Sequence, residues 1–241
     1  MTVENLFYIG HRYTDKNLII KNSSILTLFE DIACMHSNAA GENYRESDSR
    51  WLLTSYKIKI YEKPMYGDEV NVITWARETG NITASREFEI RDKSGKLLIC
   101  ALSNWAYYNV VEKRFSKVSD EIIKAYDSQP DKTNFEEKKL KKLHEPNEYQ
   151  FSVQKEIQHT WIDINNHLNN AHYLDLAQET VPEGIDLERN IDSIEIMYKQ
   201  EICENNQVKC FFSETDTEYT LVYKNPDSSI LHSIIVLHKK A

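Results

Sequence analysis

The chain contains no apolar run approaching the roughly 18 residues that a membrane-spanning helix requires. Its first ten residues, M-T-V-E-N-L-F-Y-I-G, have an early acid and no basic stretch leading into an apolar one, so no secretory signal is read there. A cytoplasmic location is the default expectation. Positive charge is also short, with 29 Lys and Arg against 38 Asp and Glu and a formal net charge of −9. That balance argues against a general nucleic-acid binder, because the phosphates would oppose association. Cysteine is scarce as well. Cys34, Cys100, Cys203 and Cys210 stand far apart, with no C-x-x-C pair and no Cys/His spacing suited to zinc, so buried, reduced thiols are expected. The sequence calls for no metal and no cofactor.

What remains is an ordinary globular composition, 41% hydrophobic and 28% charged over 241 residues. This is enough chain for one large domain or two small ones with a real core. Residues 8–13 have strand character. From Ser23 or Ser24, either of which can cap, Ile25, Leu28, Phe29, Ile32, Met35 and Ala39 recur at helical spacing until Gly41. A polar loop, 42–50, follows. Tyr56, Ile58 and Ile60 then alternate with Lys57 and Lys59, which marks a half-buried strand. Further strands are expected at 70–75, 82–90 and 97–108, the last two joined by a turn at Asp92–Gly95. A short helix capped by Ser119 spans 119–127.

The polar stretch after residue 128 contains two prolines and the basic run Lys138–Lys142, and it reads as a linker with a solvated face. Beyond it the pattern of the first part returns: a strand at 149–157, a helix after Asn170 stopped by Pro182, and the strand residues Ile194, Ile196 and Tyr198. The turn Asn225–Ser228 repeats the one at Asp92–Gly95. A repeat of about 110–130 residues is too long for a solenoid and indicates two copies of one small domain. The expected division is 1–128, a linker at 129–148, and 149–241.

The densest chemistry lies in Q-H-T-W-I-D-I-N-N-H-L-N-N, Gln158–Asn170. Asp163, Asn165 and His167 are at i, i+2 and i+4, so an extended backbone would present all three on one face. Asn169 and Asn170 cap the helix that follows, and its unpaired N–H groups suit an oxygen that becomes anionic. Such a set can hydrolyse an acyl group without metal. It can equally shape a turn and cap a helix. No D-x-N-x-H precedes the first helix.

These residues, with Y-K-Q-E at Tyr198–Glu201 and Y-G-D-E-V at Tyr66–Val70, carry a resemblance to the acyl-acyl carrier protein (acyl-ACP) thioesterases over nearly the full length. The resemblance implies an α+β fold of tandem hot-dog domains, each a long helix wrapped by an antiparallel sheet. It implies hydrolysis of fatty acyl thioesters, an end to fatty acid synthesis, and an acyl carrier protein bearing acyl-phosphopantetheine as partner. Its catalytic residues would be Asp163, Asn165, His167 and Glu201. Plant members have a cysteine after that glutamate. Here Ile202 holds the place, and strand alternation turns Cys203 to the other face. Carboxylates would then carry the reaction, with Asp163 attacking or activating water. Two other readings stand: an acyl-CoA thioesterase of the hot-dog fold, and a non-catalytic acyl-binding or sensing module. The duplication supplies within one chain the pairing that single hot-dog domains make as dimers, and a homodimer of this chain is compatible with it.

Overall fold

The computed structural model describes residues 1–137, 139–203 and 207–240. The first half runs β1 (Thr2–Tyr8), α1 (Asn22–Ala39), β2 (Ser49–Ile60), β3 (Glu69–Thr79), β4 (Thr83–Asp92), β5 (Leu97–Asn109), β6 (Arg114–Phe115) and α2 (Asp120–Tyr126). The second runs β7 (Phe151–Glu156), α3 (His172–Thr180), α4 (Leu187–Asn190), β8 (Ile191–Tyr198), β9 (Gln207–Glu214), β10 (Glu218–Lys224) and β11 (Leu231–Lys239). Each half is a hot-dog unit.

The strands form one sheet in the order β1-β3-β4-β5-β2-β8-β11-β10-β9-β7, with β6 beside β5. Every pair in it is antiparallel. Read from the middle, the two halves are mirror copies: β8 repeats β2, β11 repeats β5, and so outward to β7 and β1. The seam is β2 against β8, where Tyr56 faces Ile196 and Ile58 faces Ile194. The two strands that correspond in the repeat thus pair with each other at the seam. Ser193 Oγ adds a bond to the carbonyl of Ile58 at 3.0 Å.

The apolar stripe of α1 forms the first core. Phe29 is fully buried and stacks near Tyr56 and Phe88, with centroids 6.3 and 4.7 Å away. The helix begins at Asn22, one residue earlier than the serines suggest, and neither serine caps it. Instead the Asn22 amide donates to Glu188 Oε2 at 2.7 Å, so a carboxylate from the second half satisfies the helix end. Ser23 Oγ donates to Asp175 Oδ1 on α3 at 2.6 Å. α3 has half the length of α1, 9 residues against 18, and stops before Pro182 as expected.

Two expectations fail locally. Residues 11–13 form a 3-10 turn rather than strand. The stretch after 128 is no free linker: Trp75 Nε1 donates to the Lys132 carbonyl at 2.8 Å, and Phe135 is buried against Cys100 and Leu102. Glu137 pairs with Lys57. The segment is strapped over the outer face of the sheet and covers Lys57 of β2 there. Lys138, at the start of the basic run, lies outside the described residues.

The cysteines are all free thiols, but only Cys100 and Cys210 are buried. Cys34 and Cys203 are exposed, which corrects the expectation for those two. Among the described residues no helix is long and apolar enough to cross a membrane.

Candidate active site

The segment before α3 is not extended. Residues 159–161 form a 3-10 turn, Ile162 bridges Leu168, and the chain reverses between them. Asp163 makes the reversal. Its Oδ1 accepts from the amides of Asn165 at 2.7 Å and His167 at 3.4 Å, and Asn166 takes a positive φ of 62°. Asn165 Nδ2 closes onto Asp163 Oδ2 at 3.2 Å. Asp163 and Asn165 therefore meet through a tight turn and not through strand alternation.

The same turn exists in the first half, where the sequence reading found none. Asp15 Oδ1 accepts from the amides of Asn17 at 2.8 Å and Ile19 at 3.0 Å, Leu18 has φ 63°, and Thr14 bridges Ile20. Asp15-x-Asn17 is the first copy of Asp163-x-Asn165, with Ile19 in the place of His167. The copies also agree in what they pair with. Leu168 N donates to the Ile202 carbonyl and His167 bridges Cys203, just as Ile20 N donates to the Pro64 carbonyl and Ile19 bridges Met65. Counting back one residue, Glu201 corresponds to Lys63. The D-x-N turn is thus common scaffold, and the imidazole and the glutamate are what distinguish the second copy.

Asp163 and Asn165 border a cavity of about 710 Å³ that opens at the motif turn and runs along α1 into the first half. Ala33, Trp51, Ala76, Ala84 and Trp105 give it apolar walls. At its mouth Tyr44, from the polar loop 42–50, donates its hydroxyl to Asn165 Oδ1. Arg50 lies over the Tyr44 ring, 3.9 Å from the centroid. Ile164, at the tip of the turn, is 80% exposed beside this opening.

His167 is half-buried and Glu201 exposed. The main chain brings their segments together through the bridge from His167 to Cys203. Among the described residues, no hydrogen bond or ion pair joins the side chain of Glu201 to Asp163 or His167. Asn169 and Asn170 reach the cavity wall, and Asn169 Oδ1 accepts from the Ala171 amide at 2.8 Å ahead of α3. Neither asparagine caps the helix as expected: α3 starts at His172 with Ala171 at its N-cap and no side-chain cap, and the Asn169 bond shapes the turn before it.

Glu30 on α1, overlooked in the sequence, stands in the same wall. Asn169 Nδ2 donates to its Oε2 at 3.1 Å. Burial in the first place, with the charge of Asp163 adding to it, pushes the Glu30 carboxyl up to about 7. The available signal was an acid flanked by Phe29 and Ile32 on a helix that must cover its apolar face. The Cys203 thiol is held above its ordinary value by burial and then by the charge of Glu201, which disfavours a thiolate there. No group of three or more His, Cys, Asp or Glu side chains suited to a metal occurs among the described residues.

Comparison with known proteins agrees with this arrangement. The family profile described as the acyl-ACP thioesterase N-terminal domain matches residues 3–126, and that of the C-terminal domain matches 140–235. Oleoyl-acyl carrier protein thioesterase 1, chloroplastic, of Arabidopsis thaliana is 26% identical over 214 residues, covering 81% of this chain and 59% of its own length. The chain thus spans under two thirds of the curated relatives it matches. Among solved structures, an acyl-ACP thioesterase from Bacteroides thetaiotaomicron superposes with a TM-score of 0.85 at 20% identity, covering 99% of this chain and 98% of its own. The 12:0-ACP thioesterase from Umbellularia californica gives 0.83 at 20% identity, covering 99% and 97%. With both family profiles matched in order on the two halves of one sheet, the chain belongs to the acyl-ACP thioesterase family.

Proposed function

We propose that the protein hydrolyses fatty acyl thioesters of acyl carrier protein, releasing free fatty acid and the carrier thiol and so ending chain elongation. The observation that carries this reading is the cavity itself: an apolar channel along α1 whose mouth is formed by a carboxylate and an amide held rigidly in one turn. An acyl chain fits the channel, and its thioester then lies at Asp163 and Asn165.

In this reading Asp163 takes a proton from water as its oxygen bonds to the acyl carbon. The carbonyl becomes an oxyanion, the carbon–sulfur bond breaks, and the departing sulfur is protonated. Asn165, already bonded to Asp163 Oδ2, keeps the carboxylate oriented. His167 carries the proton toward the sulfur, and Glu201 orients it or the water. Amides at the start of α3 stabilise the oxyanion, each such donor typically contributing about 3 kcal/mol to lowering the barrier. Family membership supports this assignment of roles, and the twin turn of the first half, with Ile19 and Lys63 at the matching places, has neither the His nor the Glu.

The carrier is acidic, as is this chain, so docking relies on local positive charge. Arg50 lines the cavity beside Tyr44, and Arg45 follows Tyr44 in the same loop, so these two are the candidates; Lys57 and Lys59 are engaged in ion pairs with Glu137 and Asp192. A panel of acyl-ACP and acyl-CoA thioesters of varied length, assayed for free thiol, tests the reading. Turnover preferring the carrier supports it; equal or better turnover of acyl-CoA points to a coenzyme A hydrolase. Tight acyl binding without thiol release makes the protein a binding module.

A further inference from the structure

Glu30 has no part in the steps above, yet it is built into the site. It projects from α1 of the first half toward the motif of the second, where Asn169 Nδ2 donates to Oε2 at 3.1 Å and the nearby Asn170 side chain also favours the charged form. Its other oxygen, Oε1, is shielded from solvent and has no hydrogen-bond partner among the described residues. No cation forms an ion pair with it there. The groups facing it are Asp163 from the motif turn, Asp31 and Cys34 on its own helix, Tyr56 on β2 and Tyr198 on β8, with Arg86 of β4 acting on Cys34 and Tyr56. Asp163 and Asp31 both oppose its ionisation. A half-satisfied carboxylate in such a wall costs far more than the neutral acid, which buries no charge.

We propose, on the hydrolytic reading above, that Glu30 is a positioning residue of the site: as the neutral acid it ties Asn169 to α1 beside Asp163, and as the anion it switches the site off. The reason is electrostatic. Hydrolysis develops an oxyanion next to the charge of Asp163, and a further buried anion in the same low-dielectric wall opposes that charge. The acid form prevails below neutrality, since burial and the neighbouring carboxylates hold the group near 7 against the opposing pull of the two asparagines. Activity therefore falls as pH rises through that value. A glutamate serving only to pack the halves together would leave the pH profile alone.

The test is the kcat–pH profile of wild type and Glu30→Gln on one acyl-ACP substrate. Wild type is expected to show a descending limb near 7, and the amide variant, which cannot ionise, to stay level across it. Asn169→Ser removes a donor that favours the charged form, so its limb should move to higher pH; this variant carries the test if Glu30→Gln does not fold. A limb at the same pH in wild type and both variants, or no descending limb in wild type, overturns the inference. A second readout needs no turnover. Because the folded chain binds this proton more tightly than the unfolded one, wild type should lose thermal stability relative to Glu30→Gln as pH rises from 4.5 to about 7, with a constant difference above. If wild type cleaves no thioester while this divergence appears, the hydrolytic reading fails and the titration of Glu30 stands. If it cleaves thioesters and the difference stays flat, the Glu30 inference fails.

Discussion

The amide of Leu168 donates to the carbonyl of Ile202 at 2.7 Å, clasping the motif turn to the segment that holds Glu201. Its twin in the first half, Ile20 to Pro64 at 3.0 Å, clasps an equivalent turn to the segment that holds Lys63. One clasp thus serves two turns, of which only the second brings an imidazole and a carboxylate.

The two aspartates separate scaffold from chemistry. Asp163→Asn weakens its turn no more than the matching first-half change does, but it removes the proposed base, so kcat should fall at least about a hundredfold, the lower end of general-base effects. Asp15→Asn, at the matching place, should lower unfolding stability by about 1 kcal/mol through a weakened turn and leave kcat within about twofold. Steady-state kinetics and urea unfolding on both variants decide the matter. Equal losses of kcat would show that the turn, and not the base, is what matters. His167→Ala combined with Asp163→Asn should cost much less than the product of the single losses, because groups acting as a unit are not additive.

No thiol nucleophile is expected. The Cys203 thiol is pushed up by burial and by Glu201, and Cys100 and Cys210 are each raised to about 11, chiefly by burial. Cys203→Ser should retain most of the wild-type kcat at neutral pH. Loss of turnover in that variant with an unchanged melting temperature would contradict the carboxylate mechanism.

The inter-half ion pair offers a stability measurement. Lys63 Nζ lies 2.5 Å from Glu188 Oε2, both side chains are nearly buried, and the same oxygen accepts the Asn22 amide at the start of α1. Lys63→Met leaves the carboxylate buried without its cation and should cost about 3 kcal/mol. The double variant Lys63→Met/Glu188→Gln should recover part of that loss in denaturant unfolding. A single variant as stable as wild type would mean that the pair has no structural weight.

Docking can be read from the split between KM and kcat. Arg45→Glu should raise KM for acyl-ACP severalfold and spare a small pantetheine thioester, whereas Lys141→Glu, in the strapped segment, should leave both unchanged. An equal rise in KM on the two substrates with Arg45→Glu would place its effect in the cavity and not on a carrier surface.

Much of this was legible because local patterns and tertiary demands agree. The alternation of Tyr56, Ile58 and Ile60, the serine cap at 119 and the breaker at Pro182 each predict what forms. The turn at Asp163 is legible only as an alternative, since i, i+2 spacing suits a strand equally well and nothing in the string decides that Asn166 adopts a positive φ. Its twin at Asp15 escaped notice because Ile19 replaces the histidine that made the pattern conspicuous. Lys57 and Lys59 read as a solvent face, correctly by period; the cover over Lys57 comes from an aperiodic segment about 80 residues later, whose placement no local pattern reveals. Glu30 was missed for the converse reason: an acid in an amphipathic helix is ordinarily assigned to water, and only the fold shows what stands opposite.

The mirrored strand order about β2 and β8 has a genetic consequence. In a dimer of identical hot-dog chains, every substitution appears twice, so a change that widens a channel at one site also alters the chemistry at the other. Here the two copies occupy different codons. Ile19 and Lys63 could depart from histidine and glutamate without touching His167 and Glu201, and α1 could acquire a channel that α3, at half its length, has no room to match. Joining the copies in one reading frame removed the obligation to stay symmetric, and the division of labour between wall and chemistry is what that freedom permits.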